Sequence, residues 1–336
     1  MKANQAAFGR RILLATSAAS LAAPATTPPL AQPAWPQRDL RLIVPFPPGG
    51  TTDVVARLVA LAMRDRLGRS VVVENQPGAG STTAAGRFAR EGDDHAMFVS
   101  QIASHGIAPA LYTNLTYDPE ADFRALTLMV TVPNVWVANP AKVPGGNVRA
   151  LLRDAKARPG MRTFASAGNG TSTHLTGELI NQQTGARFQH VPYRGAGPGM
   201  TAVMGGEVDT FIDNLPTALP QIQAGTVTPL AVTSATRLAA LPDVPALAEL
   251  GEEFNLAGFV SEAWFGLHTH RSASDTVIAA MGDAARAALR DPALQVQLAE
   301  RGTQPRPVPA AEYAALVTAE LARWRTVVRQ GNILVQ

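Results

Sequence analysis

Short apolar segments alternate with helical segments along most of this sequence. The segments "LRLIVPF", "SVVVEN" and "AMFVS" are typical of strands, and residues 51–67 between the first two show helical spacing. The apolar runs are continuous, as in parallel strands that are covered on both faces. Strands that alternate with helices predict βαβ units on a parallel sheet, so the predicted fold class is α/β.

A second series of the same kind follows in the later half of the chain, with "TFASAG", "FQHVPYRG", "VDTFIDN" and "TPLAVTS" as strands. A chain of 336 residues is too long for one ordinary core. We predict two lobes, residues 35–136 together with 262–336 and residues 137–261, each a doubly wound sheet. Crossings near Val132–Val137 and Trp264–Leu267 would form a two-stranded hinge between them.

The N-terminus has the pattern of an export signal. Lys2, Arg10 and Arg11 precede the apolar segment Ile12–Ala25, and small residues and prolines follow. We expect residues 1–34 to direct export to the periplasm, and the arginine pair leaves both the Sec and the twin-arginine route open. Cleavage is expected after one of three alanines: Ala25, Ala31 or Ala34.

The charge and composition exclude several classes of function. The formal net charge is +3, and the export signal carries three basic residues and no acid, so the rest of the chain is neutral and nucleic acid is not an expected partner. The absence of cysteine excludes disulfides, cysteine metal sites and thiol catalysis. His268 and His270 form an H-x-H pair without an identifiable third ligand, so we expect them at the surface and predict no metal. No motif predicts catalytic residues or a cofactor.

Two strand-to-helix corners carry the functional signal, "PFPPGGTTD" at Pro45–Asp53 and "SAGNGTSTH" at Ser166–His174. At a helix N-terminus the first backbone N–H groups lack partners and the helix dipole is positive, so an anion is the natural guest. Glycine lets a ligand approach the backbone. No Walker lysine follows these glycines, which argues against a nucleotide. We expect a carboxylate on the N–H groups of Gly49–Thr51 and Gly170–Ser172.

The chain resembles the Bug-type, TctC-like substrate-binding proteins of the tripartite tricarboxylate transporter family. The stretches that match include "RLIVPFPPGGTTDVVARLVA", "VVVENQPGAGST", "FASAGNGTSTHLTGEL" and "VPYRGAGPGMTAVMGGEVDTFIDNLPTALP". The resemblance implies a bilobal periplasmic binding protein fold, type II-like, that closes on an amino acid, a di- or tricarboxylate or an aromatic acid. It also implies membrane subunits of the transporter as partners, and we expect a monomer.

The resemblance places ligand contacts in the two loops, and two further residues are added from their positions. Ser104, beside His105, is expected at the floor of the cleft, where His105 would alter ligand choice. Asp213 ends a strand and would receive a ligand amine or an ordered water, or cap the next helix. Arg194 at the rim is a candidate partner for a second carboxylate. The predicted ligand-binding residues are Pro47, Gly49, Gly50, Thr51, Ser104, Gly168, Asn169, Gly170, Thr171, Ser172 and Asp213.

Two other functions remain open from the sequence. An exported enzyme could use the same bilobal fold, since a fold does not determine a function. A ligand-binding partner of a membrane sensor would carry the same residues as a transport receptor.

Overall fold

The computed structural model describes residues 35–331, and the predicted export signal lies outside them. The strands are β1 (Leu40–Val44), β2 (Val71–Asn75), β3 (Ala96–Gln101), β4 (Phe123–Ala138), β5 (Thr163–Ser166), β6 (Gln189–Pro192), β7 (Thr210–Asn214), β8 (Thr228–Val232), β9 (Glu262–His270) and β10 (Gln304–Pro305). The helices are α1 (Thr51–Leu67), α2 (Thr82–Glu91), α3 (Ala108–Leu111), α4 (Val148–Ala157), α5 (Ser172–Thr184), α6 (Ala196–Met204), α7 (Leu215–Gln223), α8 (Asp275–Leu289), α9 (Pro292–Glu300) and α10 (Ala310–Gly331).

Helix α1 shows why the local sequence determines the local structure. It begins after Gly50 and ends at Gly68, which has the left-handed conformation (φ 65°) that glycine adopts without strain. Val55, Val59 and Met63 recur at helical spacing and are buried. The bounds and the stop at Gly68 agree with the sequence prediction.

The strands form two sheets with the same internal order. In the first sheet, β2, β1 and β3 are parallel neighbours, and β9 then pairs antiparallel with β3. In the second sheet, β6, β5 and β7 are parallel neighbours in the same way. In each sheet the chain passes from the central strand to one neighbour and then crosses to the other side, as the two βαβ series predicted.

Strand β4 belongs to both sheets. Up to Pro133 it pairs with β9 in the first sheet, and from Asn134 onwards it pairs with β7 and β8 in the second. Proline has no N–H to donate to a sheet, so it suits the point at which the strand changes its partners. The bilobal α/β fold with two sheets is therefore confirmed, while the residue bounds of the lobes stay a prediction.

A buried polar network holds the crossing point together. The Asn134 side-chain amide donates to Thr176 Oγ1 and to the Ser261 carbonyl, both at 3.1 Å. Thr233 Oγ1 donates to the same carbonyl at 2.6 Å, and the Asn134 N–H donates to Thr233 Oγ1 at 3.0 Å. Because Ser261 directly precedes β9, the network connects the two segments where the chain passes between the sheets.

The H-x-H pair is not at the surface, contrary to the sequence prediction. His268 is 3% exposed and His270 is 6% exposed, because β9 lies inside the first sheet. His268 Nδ1 lies 2.6 Å from Ser100 Oγ, which in turn lies 2.6 Å from the Tyr313 hydroxyl. The His268 ring stacks on the His105 ring at 4.6 Å, and burial lowers the pKa of His268 to about 3. His268 is therefore a neutral core residue.

We expect His268→Ala to lower the free energy of unfolding by about 2–4 kcal/mol, because it leaves a cavity and removes the partner of Ser100. Urea denaturation at pH 7 measures the change. Val296→Ala at an exposed position is the control. A His268→Ala variant as stable as the wild type would contradict the core role of this residue.

Candidate functional site

The site lies where the parallel strands of both sheets end. The carboxyl ends of β1 and β3 are neighbours in the first sheet, and those of β5 and β7 are neighbours in the second. Open α/β sheets bind ligands at such switch points, because the loops after the two strands diverge and leave a crevice. Here the loops of the two sheets together enclose an inner chamber of about 240 Å³.

The N-termini of four helices line the inner chamber. They are the starts of α1 after Gly50, α5 after Thr171, α6 after Gly195 and α7 after Asn214. Within residues 35–331, several backbone N–H groups at these starts have no acceptor: those of Thr51, Thr52, Ser172, Thr173, Ala196 and Gly197. Unpaired donors and converging positive dipole ends make the chamber suitable for an anion.

The buried carboxylate of Asp53 fixes the conformation of the first loop, Pro45–Asp53. Gly49 has a left-handed conformation (φ 81°), and its N–H donates to Asp53 Oδ2 at 2.9 Å. Asp53 also accepts from Arg57 and from Asn75. Burial acts to raise the pKa of Asp53, but the hydrogen bonds from Arg57, Gly49 and Asn75 outweigh it and keep the pKa below its usual value. Asp53 therefore has a structural role in this loop. The Gly49 N–H is used within the protein, which corrects the expectation that it faces the ligand.

The second loop is held by a pair of stacked histidines. The Gly170 N–H donates to His174 Nδ1 at 3.2 Å, and the His174 ring stacks on His190 at 4.1 Å. Burial lowers the pKa of His174 to about 4, so the neutral ring accepts this hydrogen bond at pH 7. The Thr171 N–H donates to the Gly168 carbonyl at 3.3 Å. Of the three N–H groups predicted in this loop, only that of Ser172 is free for a ligand.

Asp213 lies at the chamber wall, directly before the N-cap residue of α7. Its carboxylate accepts from the Asn214 N–H at 2.8 Å and from Thr217 Oγ1 at 2.6 Å, at the start of α7. Burial raises the pKa of Asp213 to about 7. Thr217 Oγ1 also lies 3.3 Å from Thr51 Oγ1, so a chain of hydroxyl contacts joins Asp213 to the start of α1 across the chamber. Asp213 does not cap α7, because Asn214 holds the N-cap position and neither hydrogen bond to Asp213 comes from an N–H of the first helical turn. A ligand contact remains a proposal.

A second, larger chamber of about 750 Å³ adjoins the first. Phe46, Pro47, Ala167, Arg194 and Gly195 line both chambers. The outer chamber is completed by residues 77–81 after β2, by Tyr112 and by the loop that contains Gly168. Arg194 is exposed and has no ion-pair partner within residues 35–331, so its positive charge is available to a ligand.

Most of the predicted binding residues come together at these chambers. Those that line the inner chamber are Pro47, Gly49, Gly50, Thr51, Thr171, Ser172 and Asp213. Those that line the outer chamber, besides Pro47, are Gly168 and Asn169. Gly170 lines neither chamber. It is buried, and a Cβ added to it would lie 3.5 Å from the Tyr112 hydroxyl.

Ser104 and His105 are not at the cleft floor, which corrects the sequence expectation. Both residues are completely buried in a π-helical turn that follows β3. Ser104 Oγ contacts the backbone of Gln101 and lies 2.9 Å from His105 Nδ1. The His105 ring packs against Phe98, Phe123 and His268, because the turn directs it into the core of the first lobe.

Sequence reasoning missed two parts of the inner chamber. Gln101 ends β3 and lines the chamber, is 5% exposed, and makes no side-chain hydrogen bond within residues 35–331. A polar residue at the end of the apolar segment "AMFVSQ" could have indicated it. The start of α6 follows the glycine-rich "GAGPG", a third strand-to-helix corner that the prediction of two binding loops did not include.

No helix within residues 35–331 has the length and hydrophobicity needed to cross a membrane. No histidine or cysteine lines either described chamber, and the inner chamber holds one carboxyl group, that of Asp213. The arrangement is therefore a set of backbone hydrogen-bond donors, with Arg194 as a charged donor, around a partly open space.

Comparisons with known proteins identify the family to which this chain belongs. Residues 55–333 match the model of the tripartite tricarboxylate transporter family receptor, TctC. Protein BugT of Bordetella pertussis is 32% identical over 320 residues, which cover 95% of this chain and 97% of BugT. The structure of R. palustris Rpa4515 with adipate has a TM-score of 0.85 and 31% identity, covering 90% of this chain and 99% of that one.

The structure of the periplasmic binding protein BugD is similar at a TM-score of 0.83 and 31% identity, with 90% of this chain and all of that chain covered. The family match spans most of the sequence, and the relatives are matched along nearly their whole length. The chain therefore belongs to the tripartite tricarboxylate transporter receptor family of Bug-type, TctC-like periplasmic solute-binding proteins.

Proposed function

We propose that this protein captures a small carboxylate between its two lobes and delivers it to the membrane subunits of a tripartite tricarboxylate transporter. The observation that carries the proposal is the convergence of four helix N-termini, with unpaired N–H groups, on one enclosed chamber. Charge-assisted hydrogen bonds from backbone N–H groups hold a carboxylate without a permanent countercharge. The adipate bound to the R. palustris relative supports a carboxylate as the ligand class.

Closure of the lobes over the ligand is part of the proposal. We take the lobes as residues 35–136 with 262–336, and residues 137–261. Loops from both lobes meet around the chambers, since a Cβ added to Gly195 would lie 3.3 Å from Pro47 Cγ. A Cβ added to Gly80 would lie 2.6 Å from the Asn169 carbonyl, so only glycine permits that approach. Rotation about the crossing at Asn134 would open this contact and admit the ligand.

Binding without turnover is the activity that the residues favour. The relative BugD is a periplasmic binding protein, and the chambers offer neutral donors rather than a nucleophile paired with a base. We propose a monomer that needs no cofactor. Chemical conversion of the bound acid would instead support the exported-enzyme alternative, and capture of a sensor protein rather than a transporter would support the sensor alternative.

Gly50→Val tests the inner chamber. Gly50 has an ordinary extended conformation (φ −75°, ψ 164°) that valine adopts, so the variant is expected to fold. Its side chain would occupy the chamber beside the Thr51 and Thr52 N–H groups. We expect wild-type protein to be stabilised by about 2.7 kcal/mol at adipate concentrations near 100 times its Kd. Loss of one charge-assisted hydrogen bond weakens binding about tenfold or more, so Gly50→Val should bind at least that much more weakly in calorimetric titration.

Ala293→Val is the control for this experiment, because it adds a branched side chain at an exposed position in the first turn of α9. Circular dichroism checks that both variants are folded. If the folded Gly50→Val variant binds adipate as tightly as wild type does, the anion site lies outside the inner chamber.

The affinity of the protein for adipate should fall as the pH rises through 7. The pKa of Asp213 is raised to about 7, so the neutral acid predominates at pH 6 and the carboxylate at pH 8, where it repels an anionic ligand. The Kd for adipate is expected to rise by up to about tenfold over this range. His174 and His190, with pKa values of about 4 and about 3, do not titrate there.

Asp213→Asn keeps one side-chain oxygen to accept from the Asn214 N–H and removes the charge, so this variant should show a flat profile over the same range. Calorimetric titration at pH 6, 7 and 8 measures both proteins. A wild-type Kd that does not change with pH would contradict the titration of Asp213 in the chamber.

Export should remove the N-terminal segment. The basic, apolar and small-residue pattern of residues 1–34 is the reason, and the mature chain is expected to begin after Ala25, Ala31 or Ala34. Intact-mass spectrometry of the protein released from the periplasm identifies the first residue. A released protein that retains Ile12–Ala25 would be incompatible with a cleaved signal.

A further inference from the structure

The second glycine-rich loop, residues 166–172, needs side chains to hold its shape. Gly168 has φ 130° and Gly170 has φ 73°. Glycine loses more conformational freedom on folding than other residues do, so such a loop keeps one conformation only where other groups fix it. The loop ends at Ser172, whose N–H lines the inner chamber and has no acceptor within residues 35–331. The groups that fix the loop therefore determine where this N–H points.

His174 holds the end of the loop through one ring nitrogen. Its Nδ1 accepts from the Gly170 N–H, so the proton of the neutral ring is on Nε2, which faces Glu178 Oε1 at 4.0 Å. The His174 N–H donates to the side chain of Thr171, the N-cap residue of α5, at 3.3 Å. His174 thus contacts the two residues that directly precede Ser172.

His190 holds the beginning of the same loop through the opposite ring nitrogen. His190 Nε2 lies 2.6 Å from Ser166 Oγ. Ser166 Oγ accepts from the Gly168 N–H at 3.1 Å, and the Gly168 carbonyl accepts from Thr171 Oγ1 at 2.7 Å. A continuous series of hydrogen bonds therefore leads from His190, on β6, to the N-cap of α5.

The two rings fix each other in position. They stack with an interplanar angle of 18°, and the Phe164 ring stacks on His190 at 4.9 Å. Burial lowers the pKa of both histidines, and a charge on His174 would lower the pKa of His190 further, so both rings are neutral at pH 7. Stacking thus keeps both hydrogen-bonding nitrogens at fixed positions beside the loop.

We propose that His174 and His190 are positioning residues for the ligand, which hold the Ser172 N–H towards the chamber through Nδ1 of His174 and Nε2 of His190. Neither histidine lines the inner or the outer chamber, so each acts on the ligand through the loop. The inference rests on the proposed function and adds the residues that prepare the site. A donor that is already in place spares the ligand the cost of ordering the loop.

Two amide side chains distinguish the ring nitrogens. The asparagine oxygen is as many bonds from Cβ as Nδ1 is, and the end atoms of glutamine are as many bonds away as Nε2 is. We expect His174→Asn to keep the adipate Kd within about threefold of wild type, and His174→Gln and His174→Leu to raise it about tenfold, the effect of one hydrogen bond. At position 190 the order should reverse, with His190→Gln near wild type and His190→Asn and His190→Leu about tenfold weaker.

The same variants are measured without ligand. The Gly170 N–H should exchange its hydrogen about tenfold faster in His174→Leu than in wild type, and at nearly the wild-type rate in His174→Asn, with the amides of β1 and β3 as the internal reference. Nitrogen NMR of the imidazole rings should show His174 as the neutral Nε2–H tautomer at pH 7. Gln182→Leu, at an exposed position of α5, is the control and should change neither the exchange nor the Kd.

A role in packing alone would not give opposite orders at the two positions. Should a leucine variant fail to fold, the comparison of asparagine with glutamine still decides, because the two amides have the same polarity. Equal effects of the two amides at each position, an Nδ1–H tautomer of His174, or Gly170 exchange that does not respond to His174→Leu would overturn the inference while the carboxylate function stands. If wild-type protein binds neither adipate nor succinate, the proposed function fails, and the role of the histidines towards the ligand fails with it.

Discussion

The site depends on one strand that serves two sheets. Because β4 pairs with β9 up to Pro133 and with β7 and β8 from Asn134, the two sheets are joined at a single crossing point. Parallel strands in each sheet end at a common edge, and the crossing brings the two edges to one cleft. The groups that we assign to the ligand lie on strand ends, loops and helix starts at these edges. The buried network around Asn134 thus supports the cleft as well as the fold.

The electrostatics of the inner chamber come mainly from the backbone. Converging helix N-termini provide partial positive charge that cannot be lost by titration, and the N–H groups are fixed by the helices themselves. Two side chains fix the conformation of the loops by accepting backbone hydrogen bonds. The Asp53 carboxylate accepts from the Gly49 N–H, and the neutral His174 ring accepts from the Gly170 N–H. Asp213 is the one acid among the described residues of the wall, and burial raises its pKa to about 7, so it is largely neutral below pH 7. An anion can therefore enter a chamber that contains a carboxyl group.

Residues with the same expected role in the sequence have different roles in the structure. Gly50 lines the chamber and leaves space beside the N–H groups of Thr51 and Thr52. The N–H groups of Gly49 and Gly170 instead donate within the protein and hold their loops. Both kinds of glycine occupy similar sequence contexts, so the pattern alone does not separate them. His268 differs from expectation for another reason. A polar pair at the end of a strand predicts a surface position as long as the residues that pack against it are unknown. Ser100 and Tyr313, distant in sequence, satisfy His268 inside the core.

The sequence by itself determined the α/β class, the two βαβ series, the bounds of α1 and the two glycine-rich corners, because these follow from hydrophobic spacing and from local turn chemistry. The sequence motifs also showed the resemblance to the TctC-like substrate-binding proteins. Only the tertiary structure decided which N–H groups remain unpaired, that the start of α6 joins the chamber, and that Ser104 and His105 lie in the core. These properties depend on which residues from distant parts of the chain become neighbours. Local patterns do not contain that information, since hydrogen-bond partners such as Ser100 and His268 are separated by 168 residues.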